Sequence, residues 1–299
     1  MITVDSTHLN LPPTKNRTPL FGLRHPADIR ALGFLLVQTL LMAGLWTGVF
    51  RNIFAWYAVA WLAVIATNVK HNHMHRHIFR RALPNLLLEH WFGLLTGTTA
   101  TSIISEHNLR HHGHPNEEDD FVRAGLVGFR SQWRNILYFF SRAAWELHVR
   151  KPLDFRIWWR TNRRLFWRGL AEQATLWGTF SVLLMFNWQA TLLYVALPWL
   201  HGQWWLITFG LFQHQDLAGD DPWHNSRNIT GRCFNWFFFN IGYHTAHHLR
   251  PALHWSELAA LHQREVAPRI DPRLVSPSLW RFYADWFTRR SQPGLATQP

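Results

Sequence analysis

QATLWGTFSVLLMFNWQATLLYVALPWLHGQWWLITFGLFQHQ, residues 173–215, runs for 43 positions without one Asp, Glu, Lys or Arg. A soluble domain rarely tolerates such a gap, whereas crossing the hydrocarbon core of a bilayer as a helix takes roughly 20 apolar residues. Divided at Asn187-Trp188-Gln189, the run supplies two spans, 173–186 lengthened at its ends and 190–213. Toward the N-terminus, residues 31–50 are uncharged between Arg30 and Arg51, and 52–69 are uncharged before Lys70. The pattern predicts an all-α membrane protein of two transmembrane helical hairpins, about four spans, with a helical cap outside the lipid. A fifth uncharged stretch, 91–105, is too short to span comfortably and is rich in Gly, Thr and Ser. It is expected to be interfacial, re-entrant or buried in protein.

The chain has 299 residues and a formal net charge of +12, which by itself invites a nucleic-acid reading. Its distribution argues against one. Between 121 and 170 there are eleven Lys and Arg against Glu146 and Asp154, interleaved with Trp133, Trp145, Trp158, Trp159 and Trp167. Helices lying at headgroup level carry this mixture of basic and aromatic side chains. If both hairpins return to one side, only the links at Arg51 and 187–189 face the other, and the positive-inside rule makes the charged face cytoplasmic. A mean hydropathy of −0.13 leaves about half the chain outside the lipid. Residues 1–30 carry no hydrophobic core before Phe21, so no cleavable signal peptide is expected. They are read as an N-terminal cytoplasmic segment, 31–262 as the integral membrane domain and 263–299 as a C-terminal cytoplasmic tail.

Cys233 is the one cysteine, which excludes a disulfide framework, a cysteine-rich zinc module and a Cys-ligated iron–sulfur centre within the chain. Histidine is abundant instead. Eleven of the 20 fall in three windows totalling 20 residues: His71, His73, His75 and His77; His107, His111, His112 and His114; His244, His247 and His248. Residues three and four apart share a helix face, so each window is expected to offer two or three imidazoles to one point. Every window falls where an apolar stretch meets the basic side. Imidazole suits Zn, Cu, Fe and Ni, and eight or more convergent rings exceed what one tetrahedral ion accepts, so two metal ions are implied.

These windows, read as His71-x-x-x-His75, His107-x-x-x-His111-His112 and His244-x-x-His247-His248, resemble the three histidine boxes of the membrane-bound fatty acid desaturase and hydroxylase superfamily. The resemblance extends over about 31–262, and the run from Asn240 to Pro251 followed by His254-Trp255 looks like the last box of that superfamily. It implies a non-haem di-iron centre on the cytosolic side of the spans, held by His71, His75, His107, His111, His112, His214, His244, His247 and His248. His214, at the end of the fourth span, takes the place of the extra ligand, with Asn240 the alternative or a water-bridged contributor. His73/His77 has the same spacing as His71/His75, which is preferred. Asp120 and Asp216 are candidates to accept the second ring N–H of ligating imidazoles, while the neighbouring acids read as solvated turns. His201 lies inside the fourth span, where an ionisable group marks a substrate channel or simply holds a neighbouring helix. His114 and His254 are open between a supporting and an ordinary role.

The resemblance implies O2-dependent oxidation of an unactivated C–H bond, first as desaturation of a fatty acyl chain. The alternative is a hydroxylase or ketolase on the same scaffold acting on an alkane, lipid or smaller polar metabolite. A non-enzymatic metal transporter or store would place ionisable groups along the spans, which apart from His201 are clean. Electrons must come from outside, from a ferredoxin, rubredoxin or cytochrome with its reductase, and the basic face suits an acidic donor as well as anionic lipid.

Overall fold

In the computed structural model, which describes residues 22–289 apart from 114, 119, 218 and 219, three helical stretches are long and apolar enough to cross a membrane: Asp28–Trp46, Ile53–His75 and the 52-residue Arg163–His214. The first two, α1 (Asp28–Trp46) and α2 (Ile53–His75), form a hairpin whose return is started by Asn52, its Oδ1 accepting the Ala55 N–H at 2.8 Å. The third folds back on itself. Asn187 leaves helical geometry at φ −157°, ψ 86°, and its Oδ1 accepts the Ala190 N–H, so it ends one helix and caps the next. Phe180 and Trp199 meet at 5.1 Å between ring centroids, whereas 19 residues of continuous helix would hold them about 28 Å apart. Thus the second hairpin bends at Asn187 inside α5 (Arg163–Thr191): residues 163–186 form one arm, and 188–191, a π-helical turn over Leu192–Ala196 and α6 (Leu197–His214) run on as the other. Their outer faces expose Leu36, Leu40, Phe54, Met185, Phe186 and Leu200, an apolar surface of the kind that water-soluble monomers avoid.

The short uncharged stretch is buried in protein. It lies in α3 (Ala82–Thr96) and the turn after it, with Phe92, Leu95, Thr96, Thr99, Ala100, Thr101 and Ser102 all buried. A helix that stops there leaves carbonyls without partners and without water. Three side chains from neighbouring helices close them: Trp199 Nε1 donates to Leu94 O, Gln38 Nε2 to Leu95 O and Gln203 Nε2 to Thr96 O, each at 3.0 Å. Gly97 makes the stop, in the left-handed region at φ +71°, where a Cβ would lie 2.7 Å from the Trp199 ring.

The basic segment forms α4 (Gln132–Thr161), which exposes Trp133, Leu137, Trp145, Val149, Leu153 and Ile157 along one side among its arginines. After α6 come β1 (Asn228–Ile229), α7 (Arg232–Phe237), α8 (His244–Leu249), α9 (Leu258–Leu261), β2 (Val275–Ser276), paired in parallel with β1, and α10 (Leu279–Thr288). Beyond 262, Val266 and Ile270 join the main core, and Phe282 and Trp286 of α10 pack with Leu211, Phe212 and Ile229.

Replacing Gly97 by Ala should destabilise the protein by at least ~1 kcal/mol through both strain and overpacking. Gly33→Ala and Gly178→Ala, which meet nothing within 4 Å, should not. Thermal unfolding in one detergent compares the three, and equal melting temperatures would remove the role given to Gly97.

Candidate metal centre

The nine histidines expected from the three boxes and α6 are brought together as two groups, with the candidate ligand atoms of each group within 4.8 Å of one another. One holds His71, His75, His107, His112 and His247; the other holds His111, His214, His244 and His248. His71 and His75 come from the last turns of α2, and His214 ends α6, so the spans themselves deliver these three. The expectation that each window serves a single point is corrected for two of the three windows. Residues 104–111 are wound as a π-helix, in which His112 N donates to His107 O across five residues at 3.0 Å. The wider turn sends His107 and His112 to one group and His111 to the other, and such π-helical segments are frequent at functional sites. On α8, His244 and His248 share one group while His247 faces the other.

Nε2 atoms stand 2.7 Å apart between His71 and His107, 3.0 Å between His107 and His112, and 3.1 Å between His112 and His247. In the second group the separations are 2.9 Å for His214–His244 and 3.2 Å for His244–His248. One ring hydrogen cannot serve both neighbours of His107 or of His244. Two nitrogens bound at right angles to one metal, with bonds of about 2.1 Å, lie about 3.0 Å apart, so the spacing fits the edges of a coordination sphere. His75 Nε2 adds to the fit, being buried with no hydrogen-bond partner.

Two rings have their tautomer set from behind. His111 Nδ1 lies 2.8 Å from Asp120 Oδ2, and His214 Nδ1 lies 2.9 Å from the Asn225 carbonyl, so both carry the hydrogen on Nδ1 and turn the Nε2 lone pair to the centre. Asp120 is fully buried and also accepts from Asn116 N and Val122 N. Burial acts to raise its carboxyl, but His111 and these donors outweigh it and hold it below the ordinary carboxylate range. Burial pushes the His107, His112, His244, His247 and His248 rings well below their usual value, with neighbouring rings adding to it, and so keeps them neutral and able to ligate.

The other candidates fall elsewhere. His73 and His77 face the buried Glu89, at 3.4 and 3.7 Å, with His73 Nδ1 accepting Ile78 N; Arg168 holds the same carboxylate, and His73, His77 and Glu89 form a third, smaller group of possible ligands apart from the nine histidines. Asn240, at φ +60°, gives its amide to Trp255 O, and Asp216 turns the chain out of α6 at φ +57°. His201 is placed beside the cavity wall rather than in it, as Ala60 O and Trp205 Nε1 occupy its two nitrogens. His254 is stacked on His25 and bonded to Asp28. His114 lies outside the described residues.

Both groups border one cavity of about 220 Å³, reached by His71, His107, His111 and His244. Trp61, Trp205, Phe209, Phe234 and Phe238 give it an aromatic wall, and Lys70, Glu106 and Gln203 a polar one. The polar wall was missed in the sequence, where Lys70 reads only as the charge that ends a span. It is buried instead, donating to Thr96 Oγ1, Thr98 O and Thr98 Oγ1.

The family model for fatty acid desaturase matches residues 46–278, well over half of the chain. The chain belongs to the fatty acid desaturase family. No curated protein matches it significantly. Membership makes the chain an oxidoreductase of desaturase or related oxidase type, in a membrane-bound family, with histidine clusters consistent with a metal cofactor.

In this desaturase-family chain, Asp120→Asn should weaken retained metal about 10- to 100-fold, the usual cost of losing a group that orients a ligating imidazole. Metal content after graded chelator treatment measures it. Unchanged retention would show that the Asp120–His111 contact serves folding alone.

Proposed function

We propose that this protein is a membrane di-iron enzyme that uses O2 to oxidise an unactivated C–H bond, most directly to desaturate a fatty acyl chain. The observation that carries the reading is the division of nine imidazoles into groups of five and four on the wall of one largely aromatic cavity. His71, His75, His107, His112 and His247 would hold one iron and His111, His214, His244 and His248 the other. Bound iron would supply the redox chemistry that couples O2 reduction to removal of hydrogen from carbon.

The chain's own residues do the rest. Asp120 and the Asn225 carbonyl keep His111 and His214 in the ligating tautomer. The aromatic wall excludes water and holds an alkyl segment beside the histidines, which contributes through orientation. Placement of the two hairpins as four spans puts the histidines at the membrane surface on the side that carries α4, the cytoplasmic side by its arginines. The same face would receive an external acidic electron donor of ferredoxin, rubredoxin or cytochrome type, because Cys233 alone can hold no cluster. Hydroxylation is the second reading, favoured by the polar wall at Lys70, Glu106 and Gln203, which suits a substrate less apolar than an alkyl chain.

Purified protein should contain close to two irons per chain, and His75→Ala and His214→Ala should each lower this by about one. A mononuclear zinc protein, or iron unaffected by either change, would overturn the assignment. Lipid and metabolite profiles of cells with and without the protein then separate the reactions, as desaturation removes two hydrogens and hydroxylation adds one oxygen.

A further inference from the structure

The cavity's polar wall is more specific than an alkyl chain requires. Glu106, in the π-helical turn next to His107, lines the cavity and has no hydrogen-bond partner among the described residues. Gln203 faces the same space. Its Nε2 donates to Thr96 O, which fixes the orientation of the amide, since the opposite flip would set oxygen against oxygen. Gln203 Oε1 is thereby left as an acceptor without a donor among the described residues. Asn68 repeats the arrangement, with Nδ2 donating to Phe238 O and Oδ1 buried without a partner.

The donors of this wall are already engaged, while the Tyr283 hydroxyl of α10, which also lines the cavity, has no partner among the described residues. All three Lys70 hydrogens go to Thr96 and Thr98, the Ser102 hydroxyl goes to Thr99 O and the Thr67 hydroxyl to Ala63 O. What remains facing the cavity from Asn68, Gln203 and Glu106 is a set of oxygens, each able to accept a hydrogen bond. The buried Asn68 Oδ1 left unmet costs about 1–3 kcal/mol, and the Gln203 and Glu106 oxygens line the cavity without a protein donor among the described residues. A plain hydrocarbon meets none of them, whereas a molecule carrying O–H or N–H would.

Accordingly we propose that the wall formed by Asn68, Gln203 and Glu106 binds a hydrogen-bond donor on the substrate, so that the substrate is an apolar chain bearing a hydroxyl or an amide N–H close to the carbon that reacts. The inference rests on the cavity being the substrate site of the proposed oxidase. Glu106 and Gln203 are positioning residues in this scheme, and the ligating histidines are untouched by it.

Competition by matched probes at the iron-loaded protein in lipid nanodiscs tests it, read as relief of the tryptophan quenching given by 1-bromododecane, since Trp61 and Trp205 line the cavity. The probes are 1-dodecanol and N-dodecylacetamide as donors, and dodecyl methyl ether and dodecane as chains without one. The donors should bind about tenfold tighter, the worth of a hydrogen bond to a buried or charged acceptor. Glu106→Leu should reduce that preference to below about threefold while ether affinity stays within about twofold, and Glu106→Gln should retain it. Whichever donor binds tighter names the hydroxyl or the amide as the group recognised. Equal binding of alcohol and ether by the unaltered protein, or equal loss of both in Glu106→Leu, would overturn the proposal. A protein with the donor preference but no iron would sink the oxidase reading alone, and an iron-loaded oxidase without the preference would sink this one alone.

Discussion

A helix that ends where water cannot reach must have its last carbonyls met by other parts of the protein, and the architecture is organised around one such ending. The carbonyls of Leu94, Leu95 and Thr96 take hydrogens from Trp199, Gln38 and Gln203, which come from α6, α1 and α6 again. Lys70 of α2 binds the Thr96 and Thr98 hydroxyls of the same turn. Four helices are thus tied at one point inside the apolar body. Such bonds compete poorly with water at a surface but hold well where there is none. The chain leaving this knot runs through buried Thr99 to Ser102 into the π-helical turn that carries His107, His111 and His112, so the second box is hung from the knot that also fixes α2 and α6. Box one begins one residue after Lys70, and His214 lies eleven residues beyond Gln203 on the same helix. The positions of six of the nine imidazoles therefore depend on how α3 ends.

Much of this was legible in the chain and some was not, for physical reasons. The missing charges between 173 and 215 give both arms of the second hairpin, and Asn187 turns them because its side chain can cap a helix while its backbone leaves one. Histidine spacing pointed to eight of the nine converging rings, and the resemblance added His214 and preferred His71/His75, the pair that falls in the five-membered group. Spacing misassigned how they divide, because the rule that residues four apart share a face assumes an α-helix. One wider turn at 104–111 pairs His107 with His112 instead of His111. Nothing in the order of residues announces that winding.

The polar cavity wall was hidden for a different reason. Lys70 and Glu106 each sit one residue from a box histidine, where a charge reads as the boundary between lipid and water. Only the return of α3 beneath them turns that boundary into an interior. Glu89 and Arg168 illustrate the same point, since a buried carboxylate that holds His73 and His77 aside depends on α3 and α5 meeting, a contact with no local signature.

The far end of the chain bears on selectivity. The family match stops at 278, one residue before α10 begins, yet α10 contributes Leu279 and Tyr283 to the cavity and anchors itself through Phe282 and Trp286. A centre built from shared motifs is therefore enclosed in part by a segment outside the matched region. Metal-binding geometry tolerates little change, because every ligand must reach the same point. A lid that only shapes space tolerates much more, provided its anchoring residues still fill the core. The buried Tyr283 hydroxyl on α10, without a partner among the described residues, belongs to a residue that lines the cavity. On the proposed reading, with oxidation at the nine histidines, α10 and the polar wall shape the space beside them without supplying any of the nine rings.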